Sequence, residues 1–144
     1  MGRLRLLAEK LKQVTPEKFE GDLLSIIKAN EAAIVDINIM QMDQGETAQG
    51  SRIVPEYSPV TVEIKRLKGQ QFNWVTLEDE RDFKNSMFMN AERFPLMFNS
   101  TDWKSEMLND KYGDIFGIAR KNIPQVGSEI RPEVKQYCKK LFSV

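Results

Sequence analysis

The sequence predicts an α+β domain with N-terminal helices, a small central antiparallel hairpin and C-terminal helices. Apolar residues recur at helical spacing near both ends of the chain, large side chains alternate in short runs between residues 83 and 98, and turn-forming residues separate these stretches. At 144 residues, with 41% hydrophobic and 29% charged side chains, the chain has the size and composition of one soluble globular domain. It divides into a helical part (1–42), a flexible loop (43–57) and an α+β core with a C-terminal helix (58–144).

Leu4, Leu7 and Leu11 stand at i, i+3 and i+7 and predict a short amphipathic helix over 3–13. Thr15 is placed to cap a second helix, with Pro16 in its first turn and Glu17 favouring the positive end of the dipole. Phe19, Leu23, Ile26, Ile27, Ala33, Ile34 and Ile37 continue the stripe and predict one long helix over about 16–40, although "IVDINIMQM" also alternates like a strand. Residues 43–59 hold two glycines, two prolines and several small polar residues, the composition of a mobile loop. For 60–68 two periods compete: Val60, Val62 and Ile64 alternate, whereas Ser58-Pro59 and Gly69 look like the ends of a short helix.

Phe83–Met89 and Phe94–Phe98 predict two strands joined through "NAER". On such a strand Phe83, Met87 and Met89 would face the core, and Lys84, Ser86 and Phe88 the other side. Ser100 or Thr101 can cap a helix closed by Gly113. "RPEVKQYCKKLFS" predicts a last helix with Val134, Tyr137, Cys138 and Leu141 inward.

Composition excludes several chemistries. The chain contains no histidine, which removes imidazole bases, His-based triads and His-ligated metals. Its single cysteine, Cys138, cannot form an intramolecular disulfide, which suits a reducing compartment of synthesis. No apolar run approaches the roughly 20 residues of a membrane span, and "MGRLRLLAEKLKQ" reads as a helix rather than a signal peptide. Lys and Arg total 21, as do Asp and Glu, without the basic excess of a free-standing nucleic-acid binder.

The acidic knot Glu78, Asp79, Glu80 and Asp82 lacks the ligand register and central glycine of a calcium loop. It reads as a solvated turn that aims the strand after it. "GQQ" at 69–71 is no phosphate loop. Trp74 and Trp103 suit a core or an interface better than base stacking. The grouped Met40, Met42, Met87, Met89 and Met97 suit gap-filling in a core. No cofactor or metal site is expected.

Five phrases occur in order: "VDINIMQMDQGETAQGSRI", "YSPVTVEIKRLKGQ", "VTLEDERDFKNSMFM", "STDWKSEMLNDKYGDIFGI" and the closing helix. As a set, over residues 34–142, they resemble a family of small virion proteins from Bacteroides-type and crAss-like phages. Its phrases run "DLN..QL..G....G..I", "Y...T...K..KG", "VTL.DTG.F..SF" and "D.K...L...YG..IFGL". The third is also similar to one in tail-completion proteins of long-tailed phages, which sit at the neck. The resemblance implies a virion structural protein at the portal vertex or head–tail connector, made in the host bacterial cytoplasm and acting without catalysis. Its implied partners are portal, capsid or tail and ring proteins and further copies of itself. The family's "DTG" corresponds to Asp79, Glu80 and Arg81, so the glycine that would permit a left-handed turn is replaced, and a differently shaped turn is expected.

On this reading the basic clusters are the candidate partner interface: Arg3 and Arg5; Lys65, Arg66 and Lys68; and Lys135, Lys139 and Lys140. Two other readings stand beside it. One is a DNA-contacting or packaging-associated protein using the same cations, and the other is an acidic-site enzyme such as a nuclease.

Overall fold

Capping chemistry sets out the first helices. In the computed structural model, which describes residues 2–77 and 81–143, α1 spans Gly2–Lys12 and α2 spans Pro16–Ala29. The Thr15 hydroxyl accepts from the Lys18 amide at 3.1 Å, and Pro16 sits in the first turn, as expected. The single helix expected over 16–40 is two, because α3 starts anew at Glu31 and runs to Asp43. Asn30 makes the break: its Nδ2 donates to the Ile26 carbonyl at 2.9 Å and to Glu133 at 3.0 Å, while its own amide turns to Ile27. The apolar stripe runs on through this junction, so periodicity alone cannot register it.

The ambiguous stretch after Ser58 is helix α4, Pro59–Leu67. The Ser58 hydroxyl accepts from the Thr61 amide at 3.2 Å, and capping prevails over β-branched alternation. The expected long strand from Phe83 is shorter. Asp82–Asn85 form a one-turn helix, α5, and only Met87–Asn90 extend as β1, antiparallel to β2 at Met97–Ser100 with Met89 opposite Phe98. Phe83 is buried all the same, through the helical turn rather than through strand alternation. The expected facing of Lys84 is reversed: it is buried with its ammonium paired to Asp43 of α3. A one-residue-per-face strand argument fails wherever a helical turn rotates each side chain by about 100°.

Helix α6 (Ser105–Tyr112) ends at Gly113 as expected but starts later. Ser100 and Asp102 are used in the turn before it, where their side chains accept from the Asp102 and Lys104 amides. After a 3-10 turn at Arg120–Asn122 comes α7, Ile123–Phe142, which continues through Pro132 and so begins well before the expected closing helix. Val134, Tyr137, Cys138 and Leu141 form its half-buried stripe. The helix runs antiparallel along α2 and α3: Asn122 meets Gln41, Glu133 meets Asn30 and Tyr137 meets Asp22. The Tyr137 hydroxyl donates to Asp22 at 2.8 Å; this bond, helped by burial and the carboxylate charge, raises the phenol above its ordinary value.

The architecture is therefore α+β, with helices at both ends and a two-stranded antiparallel sheet between them. Leu24, Ile27, Ile34, Val35, Met89 and Phe98 form one apolar cluster, and Met42, Ile53, Val75, Phe83 and Ile115 a second; Met87 and Phe116 touch both. Met42 and Met89 fill these cores, whereas Met97 stands exposed.

The segment expected as a flexible loop is folded back on itself. Glu46 bridges Arg52, the Thr47 amide reaches Ser51 at 2.8 Å, and the Ile53 amide reaches Gly45 at 2.9 Å, so that Ile53 enters the second cluster. Gly45 permits this: its φ is 73°, and a Cβ there would lie 2.5 Å from the Trp74 ring. Composition signals loop but says nothing of one buried anchor.

Two buried amides on α3 join the fold's halves. Asn38 donates to the Ile115 carbonyl at 3.1 Å and accepts from the Gly117 amide at 3.0 Å. Gln41 donates to the Gly117 carbonyl at 2.9 Å and accepts from the Ala119 amide at 2.7 Å and the Asn122 side chain at 2.8 Å. Together they do for residues 115–119 what a neighbouring strand would do, pairing backbone groups that burial would otherwise orphan. Both lie in the first of the five phrases, and the segment they hold begins in the fourth and ends just past it.

Candidate partner-binding surface

Helix α1 packs against α7 and α7 against α2, and the Lys10 ammonium meets the Ser143 carbonyl where α1 and α7 end together. This pairing brings Arg3 and Arg5 of α1 onto the same helix pair as Lys135, Lys139 and Lys140 of α7, all exposed. Two of the three expected basic clusters therefore lie exposed on a pair of packed helices. Arg5 pairs with Glu9, one turn on, at 3.3 Å, and both side chains are largely in water.

The leucines of α1 are the unusual part. Leu7 is half-buried, but Leu4 remains 67% exposed and Leu11 44% exposed, and no residue of the helix is fully buried. An 11-residue helix is marginal in water by itself and normally depends on burying its apolar face. Here that face stays largely open, ringed by cations.

The third cluster behaves differently. Lys65 does not belong to an exposed interface: it is only 8% exposed, with its ammonium 4.8 Å from the Tyr57 ring centre, because α4 turns this position toward the second core. Arg66 is exposed but lies 5.1 Å from the centre of the Phe72 ring and 3.5 Å from Glu63. Lys68 follows the last turn of α4 and, with Lys65, Arg81 and Lys104, lines a cavity of about 360 Å³ walled by Tyr57, Phe83 and Tyr112. None of Lys65, Lys68 and Arg81 is free of other interactions within the chain. The middle cluster thus serves the fold more than a surface.

Of the acidic knot, Glu78, Asp79 and Glu80 lie outside the described residues. Asp82 is exposed at the start of α5. Among the described residues no group of three or more Cys, Asp or Glu side chains could hold a metal ion, and no helix is long and apolar enough to cross a membrane.

Arg81 itself adopts φ 66°, ψ 0°, the left-handed conformation that a glycine would permit at no steric cost. That conformation costs an L-residue about 1–2 kcal/mol. Its contact with Asp43, at 3.9 Å between half-exposed groups, contributes little in return. Glycine relieves that strain but costs about 0.4–1 kcal/mol in unfolded-chain freedom, and Arg81 has further interactions in the fold, so Arg81→Gly is expected to leave the midpoint of urea denaturation nearly unchanged. A lowered midpoint would mean that the arginine's side-chain contacts outweigh the strain.

A second exposed patch was not foreseen. Trp103, expected in a core or interface, is 80% exposed just before α6, with exposed Met97 and Met107 nearby in the fold or sequence. Beside it an open hollow of about 690 Å³ lies between β2 and α6. The available sequence signal was the spacing of Glu106, Met107 and Asp110, one face of α6 that mixes apolar and acidic residues, with Trp103 just before it.

Comparison with protein-family models, curated proteins and solved structures returned no match.

Proposed function

We propose that the protein is a structural component of a phage particle, present in many copies at or near the portal vertex or head–tail connector. It acts by protein–protein assembly, and the α1/α7 surface makes its principal contacts with neighbouring subunits, further copies of itself included, within an assembly of portal, capsid or ring proteins. The five ordered phrases supply the virion and its portal vertex. The observation that carries the assembly reading is the open leucine face of α1, which its own subunit leaves in water. Covering a Leu side chain that is now exposed contributes about 1.5–3 kcal/mol, and the surrounding cations set orientation and encounter rate.

A duplex-DNA contact would use the same cations. Exposed leucines among them favour a protein partner, because phosphate neutralisation has no use for an apolar stripe. Catalysis has no support from the described side chains, and the protein is read as non-enzymatic.

Reversing Lys135, Lys139 and Lys140 to Glu tests this surface. All three are exposed, so folding and melting temperature are expected to change little. Incorporation into particles, measured by complementation and quantitative mass spectrometry, is expected to fall to background. Normal incorporation would remove α7 from the interface. Loss of salt-dependent duplex binding by the isolated protein, with incorporation intact, would support the DNA reading instead.

A further inference from the structure

We propose that the Trp103 hollow of one copy receives the α1 face of the next copy, making a head-to-tail contact between identical chains; this rests on the multi-copy assembly reading above. The hollow and the helix have opposite character. Leu96, Met97 and Phe116 give the hollow apolar walls, Trp103 stands at its edge, and its charged lining consists of Asp102, Glu106 and Asp114, with no cation. Met107 and Asp110 extend this surface along the outer face of α6, where Lys111 is the one cation beside them. Folding leaves this large aromatic in water, and tryptophan is characteristic of interface centres rather than of free surface.

The occupant that fits is an amphipathic helix with leucines flanked by cations. Helix α1 offers Leu4 and Leu11 between Arg3, Arg5 and Lys12, with Glu9 as its one acid. Both patches are exposed within one chain, so neither fills the other intramolecularly. The formal charge of the whole chain is zero, so copies placed end to end meet basic face to acidic hollow without a net repulsion to overcome. A contact between two different patches is heterologous and closes into a ring or continues as a filament. That is the geometry a multi-copy connector component needs.

A charge-swap set measured by sedimentation velocity, over a concentration series in low salt, tests the contact. The wild-type chain is expected to self-associate. Arg3→Glu with Arg5→Glu, and separately Glu106→Lys with Asp110→Lys, should each weaken association by about tenfold or more, because each places like charges face to face. The chain carrying all four reversals should recover most of the loss, since the reversed positions on α1 again meet reversed positions of opposite charge on α6. Trp103→Ala should weaken association with the charges untouched, and far-UV circular dichroism should report the same fold throughout. A wild-type chain that stays monomeric at the highest attainable concentration overturns the proposal, as does a fourfold variant no better than its parents. Loss of the Glu106→Lys, Asp110→Lys chain from particles with self-association unchanged also overturns it, assigning the hollow to a different virion protein. The copy number of the chain in purified particles is independent of these results, so failure of this contact is distinguishable from failure of the assembly reading.

Discussion

Gln41→Leu is expected to lower the unfolding free energy by about 3 kcal/mol or more, although it exchanges one buried side chain for another of similar size. Gln41 is fully buried and makes three hydrogen bonds to the segment after Ile115. Leucine leaves the Gly117 carbonyl and Ala119 amide unpaired in an environment that admits little water. Each orphaned group costs about 1–3 kcal/mol, which exceeds any gain in apolar contact. Gly117 cannot easily move to compensate: its φ is 136°, and a Cβ there would lie 3.2 Å from Ala48. Gln41→Glu separates donor from acceptor. Its carboxylate can accept from Ala119 but repels the Gly117 carbonyl, whereas the protonated acid can donate to it. Burial raises the folded-state carboxyl above its ordinary value of about 4.3. The deficit of this variant should therefore be smallest in acid and grow as pH rises past that value. Denaturation midpoints at two pH values check both statements, and an unchanged midpoint for Gln41→Leu would mean that water replaces the amide.

Phe83→Ala is expected to cost about 3–5 kcal/mol, the usual range for truncating a buried aromatic. The ring is 2% exposed and packs in the cluster of Met42, Ile53, Val75 and Ile115, with its centre 5.7 Å from that of Phe116 and the planes tilted by 50°. Its carbonyl also accepts from the Ser100 hydroxyl at 2.9 Å, which ties α5 to the end of β2. A domain of this size has a total margin of about 5–15 kcal/mol, so the variant should be partly unfolded or aggregate on expression. Phe83→Leu keeps most of the volume and should retain the fold. Equal stability of Phe83→Ala and wild type would show that this cluster is not a cooperative part of the core.

These residues also mark what was legible in the sequence. Thr15, Ser58 and Gly113 announce their helix ends because caps act within a few residues of where they stand. The Tyr137 stripe announces the inward face of α7 for the same reason. Asn30 breaks a helix without glycine or proline, by a side-chain bond that competes for a backbone carbonyl, and the apolar period hides it. Lys84 looks like a surface residue until its partner Asp43, 41 positions earlier, is brought beside it. Phe83 was placed in the core correctly, but by a strand argument where a helical turn does the work.

The candidate surface was legible in part. The clusters on α1 and α7 could be read from their residues, but their juxtaposition required a helix running through Pro132. Lys65 was misplaced because local sequence does not say which side of α4 faces Tyr57. Asn38 and Gln41 did carry a signal: two amides at i and i+3 inside an apolar run are costly unless paired across the fold. Trp103 was visible as a residue but not as a surface, since aromatic identity does not distinguish core from interface.

If this chain is, as proposed, a stoichiometric, multi-copy part of a virion, quantitative mass spectrometry of purified particles, calibrated against the portal protein, will find a fixed ratio to portal, above one copy per particle and constant between preparations and after nuclease treatment. Absence from purified particles, or a ratio that varies between preparations and falls when free DNA is removed, would contradict it.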